Sequence, residues 1–80
     1  MDHHLIRIDP ERDAYRFYAL ALWPDLFGGV SFAREWGRIG QSGKLWLDHF
    51  DSEEQPGRAL TRLAAAKRRR GYHAPGEAAA

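Results

Sequence analysis

Trp36, Gly37 and Arg38 set an aromatic plane, a residue without a side chain and a permanent cation in consecutive positions. A flat ring stacks on a sugar or a base, and a guanidinium grips a phosphate through paired hydrogen bonds. Ile39, Gly40 and Gly43 extend the segment to WGRIGQSG, a strand running into a glycine-marked turn. Arg34 and Lys44 flank it. Each residue also has a plainer reading. Trp36 suits a core anchor, since tryptophan is usually well buried. Arg38, two residues on and on the same strand face, is either a solvent-facing charge or a phosphate ligand. Gly37 between them allows a bulge or twist that would turn Trp36 outward.

A second basic feature lies downstream. Arg58, Arg62, Lys67, Arg68, Arg69 and Arg70 occur with no acid among them, while the acids gather at Asp9, Glu11 and Asp13 and at Asp48, Asp51, Glu53 and Glu54. The net charge of +1 therefore conceals a basic stripe, and local charge density is what matters for phosphate contact. A solvated helix face accounts for the same stripe equally well.

Catalytic chemistry is hard to assemble. The chain has no cysteine, and Ser31, Ser42 and Ser52 lack the Gly-x-Ser-x-Gly setting of an activated nucleophile. His3, His4, His49 and His73 show no paired metal-ligand spacing, and each reads as a satisfied or exposed histidine. Asp51, Glu53 and Glu54 read as charge at a helix amino end. Gly37, Gly40 and Gly43 are not followed by the Gly-Lys-Ser/Thr of a phosphate loop. The expectation is no catalytic residue, no metal and no cofactor.

The elements that must position these residues follow from periodicity. Leu5, Ile6 and Ile8 suit a short strand, and residues 9–13 carry turn chemistry. Residues 15–22 form a strand, with Tyr18, Leu20 and Leu22 on one face and Tyr15, Phe17, Ala19 and Ala21 on the other. A connection at 23–29 leads to a strand over 30–39, a turn at 40–43 and a returning strand over 44–50. In that last strand both faces are apolar, so the core side stays open. Ser52 has capping-box spacing, with Pro56 as the alternative start of a helix. Ala59, Leu60, Leu63 and Ala64 supply its apolar stripe, and Gly71 its stop. Tyr72 and His73 add a last short strand. The expected fold is α+β: a small antiparallel meander sheet with one C-terminal helix packed on a face.

At 80 residues and 9.1 kDa there is room for one domain, placed at 1–73 with its core at 15–72 and a disordered tail at 74–80. Ten aromatics, three Trp, three Tyr and four Phe, must build the core without help from disulfides. Marginal stability is expected. The longest apolar run, residues 19–23, is too short for a bilayer, and the first four residues lack the features of a secretory signal. A cytoplasmic location is the expectation.

WGRIG preceded by a strand, followed by a glycine turn, a strand ending in Phe50 and a helix running into Lys67-Arg68-Arg69-Arg70-Gly71-Tyr72, resembles the WGR domain family. The likeness runs from about Tyr15 to Tyr72. Leu26-Phe27-Gly28 and Arg70-Gly71-Tyr72 are similar to stand-alone bacterial members in particular. In poly(ADP-ribose) polymerases activated by DNA damage, this module touches DNA ends. The resemblance implies that Trp36 packs on the terminal nucleotide at the 5′ side of a break. It implies that Arg38 contacts the 5′ phosphate or a neighbouring domain, and more loosely that Tyr72 helps hold that phosphate. This chain lacks the extra residues that longer members carry between helix and tail, and it carries no polymerase domain.

Together these readings predict a non-catalytic module for DNA ends or nicks, with RNA as the other nucleic acid to consider. Trp36, Gly37 and Arg38 would form its centre, and Arg34, Lys44, Arg68, Arg69, Arg70 and Tyr72 its surroundings. The alternative is an adaptor that docks a protein through Trp36 and Arg38, the residue types favoured as interface anchors. No membrane partner is expected, and the chain is expected to be a monomer or a weak homodimer.

Overall fold

A computed structural model describes residues 2–26 and 28–77. Phe27 of the Leu26-Phe27-Gly28 segment and residues 78–80 of the expected tail lie outside the described residues. Four strands, β1 (Asp2–Asp9), β2 (Ala14–Pro24), β3 (Val30–Arg38) and β4 (Lys44–Phe50), precede a single helix, α1 (Glu54–Arg69). The strands pair antiparallel in the order β1-β2-β3-β4, the predicted meander. A 3-10 turn at Pro10–Arg12 joins β1 to β2, and Asp13 closes it at φ 51. Aspartate tolerates this left-handed conformation better than most residues.

Register settles which side chains share a face. Leu5 lies opposite Tyr18, Tyr18 opposite Trp36 and Trp36 opposite Lys44; Leu22 lies opposite Phe32. Helix α1 covers part of this face. Leu60 and Ala64 pack on Tyr18, Leu20 and Phe32, with Leu22, Trp36, Phe50, Ala59, Leu63 and Tyr72 around the rim. The split of β2 into a Tyr18/Leu20 core face and a Phe17/Ala19 outer face is as its alternation predicts.

The helix starts neither at Ser52 nor at Pro56. Glu53 is its N-cap, with no side-chain cap hydrogen bond, and Pro56 falls at the third helical position. The first intrahelical hydrogen bond is donated by the following residue, from Gly57 N to Glu53 O at 2.8 Å. The missing N–H of Pro56 therefore costs nothing, and its ring is buried. Gly71, at φ 94, ends the helix in the left-handed conformation as expected. The chain then runs back along β1, where Ile6 and His73 exchange backbone hydrogen bonds of 2.8 and 2.9 Å. Residues 74–77, which the sequence assigns to the tail, make a turn closed by Glu77 N to Ala74 O at 3.0 Å. Among the described residues, no helix is long and apolar enough to cross a membrane.

Candidate functional site

Gly37 does not bulge the chain. β3 keeps unbroken pairing with β2 through Trp36, Gly37 and Arg38. The glycine is needed for close approach instead. A Cβ on Gly37 would come 2.9 Å from the Gly43 Cα and 3.4 Å from the Phe17 ring. A Cβ on Gly43 would lie 2.5 Å from the Trp36 carbonyl oxygen and 2.7 Å from Phe17. These two glycines let the β3–β4 hairpin close over Phe17 and so hold Trp36 on the opposite, helix-side face.

Trp36 is both anchor and surface. Half-buried against the core, its ring stacks near Tyr18 with centroids 6.1 Å apart and planes 20° from parallel. It also lines a cavity of about 310 Å³ together with Arg16, Phe17, Tyr18, Arg34, Gly37, Lys67 and Tyr72. Three cations and three aromatic rings besides Phe17 thus converge on one hollow whose lining contains no acid. The elements explain this. Arg16, Arg34 and Trp36 alternate onto the face that α1 covers only in part, Lys67 hangs from the last turn of α1, and Tyr72 follows the Gly71 stop.

Lys67 Nζ sits 4.4 Å from the centroid of the Tyr18 ring and 5.5 Å from that of Tyr72. The two ring faces favour its cation. Burial and, secondarily, the neighbouring Arg70 work against it and bring its pKa below the usual lysine value. An anion in the cavity would offset this cost through charge attraction. Arg34 has an Nε that is buried without a hydrogen-bond partner among the described residues, while its outer nitrogen stands 3.9 Å from Asp48. A buried donor left unpaired is costly and calls for an acceptor.

Not every residue singled out by the sequence reaches this hollow. Trp36, Gly37, Arg34 and Tyr72 line it. Arg38 shares the face by register, but its guanidinium turns to Asp13 Oδ1 at 3.4 Å and lies 5.4 Å from the centroid of the Tyr15 ring. Lys44 stands opposite Trp36 on β4, exposed. Arg68 donates to Glu77 Oε1 at 2.7 Å. That bond, opposed by desolvation, holds the Glu77 carboxyl below its ordinary pKa. Arg69 borders a different hollow with Arg62, Ala59 and Leu63, and Arg70 acts on Lys67 through its charge.

Arg16 and Tyr18 line this hollow although the sequence reading did not single them out for it, and Lys67, read only as part of the basic stripe, lines it too. Their signals were present: Arg16 shares a strand face with Tyr18, and Lys67 follows Leu60 and Ala64 at i+7 and i+3 on the helix. His49 pairs with Asp25, whose other oxygen accepts from Gly29 N at 3.0 Å. This arrangement ties the β2–β3 connection to β4. Among the described residues, no group of three or more metal-ligating side chains comes together.

The WGR domain family model matches residues 1–79. The chain is similar to the uncharacterized protein y4dW of Sinorhizobium fredii, at 44% identity over 66 residues, which is 82% of this chain and 32% of that protein. It is also similar to the uncharacterized protein YfeS of Escherichia coli K12, at 40% identity over 50 residues, 62% of this chain and 20% of that one. The chain thus spans about a third or less of these relatives. No solved structure matches it.

Proposed function

This chain belongs to the WGR domain family, a module generally associated with nucleic acids, and from that premise we propose that its cationic-aromatic cavity holds a terminal nucleotide and its 5′ phosphate. The observation that carries this reading is the acid-free convergence of Arg16, Arg34 and Lys67 with Tyr18, Trp36 and Tyr72. The three cations form a phosphate cradle, in which Arg34 has a buried Nε without a hydrogen-bond partner among the described residues. Trp36, held at its back by Tyr18, offers a face to the sugar or base. Phosphate positions the strand end without reading its sequence, so recognition is of an end rather than of a base order.

In this reading Arg38 takes a part other than the 5′-phosphate or interdomain contact that the family likeness implies. It pairs with Asp13 and lies near the Tyr15 ring, and the part proposed for it is attraction of the backbone beyond the terminal nucleotide. Lys44 and Arg70 extend the same field. The role is binding rather than catalysis.

Fluorescence anisotropy with labelled duplexes tests this reading. A 5′-phosphorylated end should bind more tightly than the same end without phosphate, and affinity should fall steeply with salt. Each phosphate neutralised contributes a log–log slope of about −0.9 on duplex DNA. Equal affinity for the two ends would remove the cradle; no binding by folded protein at low salt would turn the reading toward a protein partner.

A further inference from the structure

β4 is an edge strand with an unusual sequence. Lys44-Leu45-Trp46-Leu47-Asp48 contains no proline and pairs with β3 without interruption, and nothing among the described residues pairs with its outer side. The other edge, β1, is at least partly covered by the Ile6–His73 bridge. Leu45, Trp46 and Leu47 are 55%, 53% and 53% exposed, so both faces of the strand leave large apolar side chains in water. An edge of this kind is a template for pairing with another strand, and folded proteins normally guard it with a central charge, proline or bulge. Here the only charges lie at Lys44 and Asp48, either side of the apolar triplet.

Those two charges choose the partner. If β4 meets a second β4 antiparallel with Trp46 opposite Trp46, then Leu45 falls opposite Leu47 and Lys44 falls opposite Asp48, twice over. Every cross-strand pair is favourable: ring on ring, aliphatic on aliphatic, cation on anion. A slip by one residue in the opposing position puts Trp46 against Leu47 and Lys44 against His49, and the charge match is lost. The strand is therefore self-complementary about Trp46.

We propose that β4 is the contact by which two copies of this chain join, edge to edge, into one continuous eight-stranded sheet. The two-fold axis passes through the Trp46 pair at right angles to the sheet, which places both helices and both cavities on the same side. From strand spacing of ~4.8 Å and a rise of ~3.4 Å per residue, the two Trp36 positions are then roughly 20 Å apart. The dimer does not depend on the nucleic-acid reading. If that reading also holds, one surface presents two cradles about a duplex width apart.

The interface is small, so assembly should be concentration-dependent. Sedimentation equilibrium of the full chain without nucleic acid should show mass rising from 9.1 kDa toward twice that value. Leu47→Lys places a cation in the middle of the edge and should return the protein to monomer at every concentration. Lys44→Glu and Asp48→Lys should each be monomeric alone, by setting like charges opposite one another, and should form a heterodimer when mixed. Trp23→Lys, on the open sheet face away from this edge, should leave assembly unchanged. Circular dichroism establishes that each variant is folded; because Leu47 is exposed and Asp48 contacts Arg34, Leu45→Lys stands in should Asp48→Lys fail to fold. Wild-type mass fixed at 9.1 kDa up to about millimolar concentration would overturn the proposal. So would a dimer that survives Leu47→Lys and Leu45→Lys, or one that Trp23→Lys dissolves while the charge pairs leave it intact.

Discussion

The two faces of the sheet differ in a way that composition hides. Arg7, Arg16, Arg34, Arg38 and Lys44, all the cations carried by the described strand residues, fall on the face that α1 partly covers. The opposite face takes Asp2 and Glu35 with Ile6, Ile8, Tyr15, Phe17, Ala19, Ala21, Trp23, Leu45 and Leu47. Because side chains alternate with period two, each cation reaches its face through the parity of its position and the register of its strand. Among the described strand residues each face carries two acids, Asp9 and Asp48 on the covered side and Asp2 and Glu35 on the open one. The faces therefore differ in their cations: one combines a core with a cationic hollow, and the other has no Lys or Arg among its described strand residues. A net charge of only +1 is therefore no obstacle to a one-sided distribution of cations.

The largest test of this contrast concerns the covered side. Leu60 is fully buried, and Leu60→Ala should cost about 2–5 kcal/mol in denaturant unfolding. Leu47→Ala, on the open face, should cost well under 1 kcal/mol in the monomer. Comparable losses would mean that the open face is also a core.

The close approach at the hairpin comes next. Gly43→Ala must push its Cβ into the Trp36 carbonyl and the Phe17 ring, and a loss of about 1–3 kcal/mol is expected. Weaker nucleic-acid binding should accompany it, since Trp36 moves with that backbone. Unchanged stability would show that the hairpin opens without strain.

Binding should separate the faces more finely. Trp36→Ala is expected to lose about 1–3 kcal/mol of affinity if the ring stacks on a nucleotide, whereas Trp23→Ala on the open face should bind as wild type. Arg34→Gln and Lys67→Gln should each flatten the salt dependence by about 0.9 in slope on duplex DNA. Anisotropy titrations over a salt series measure both, and an equal effect of Trp23→Ala would place the contact elsewhere.

The smallest effect expected is that of pH on the turn after the helix. The Glu77 carboxyl is held below its ordinary value of 4.5 by its hydrogen bond to Arg68. Its stabilising contribution is complete above that value and disappears as pH falls through the lower, folded one. The side chains are too exposed for a large effect. Glu77→Gln should remove this part of the acid dependence, seen as a slightly flatter melting-temperature profile below the ordinary carboxylate pKa.

Much of this architecture was legible in residues 15–71. The alternation of Tyr18, Leu20 and Leu22, the glycine turn at 40–43 and the stripe through Leu60 and Ala64 led to the observed strands and helix because local periodicity reports local burial. The helix start was misjudged because Ser52 has the right spacing for a cap, yet the chain turns one residue later at Glu53. The site was legible only in part. Trp36 and Arg34 are found where their strand faces the cavity, but Arg38 is drawn aside by Asp13, 25 residues earlier, and Arg16 and Lys67 enter from other elements.

Sequence by itself determined the elements, their order and the presence of a ring beside a cation, since each depends on neighbours within a few residues. Only the tertiary structure decided which cations share a hollow, why Gly37 and Gly43 must lack side chains, and that β4 is an edge strand with no further strand beside it among the described residues. Those outcomes depend on register between strands and on where one short helix lies across a wider sheet, and contacts at that range leave no period along the chain.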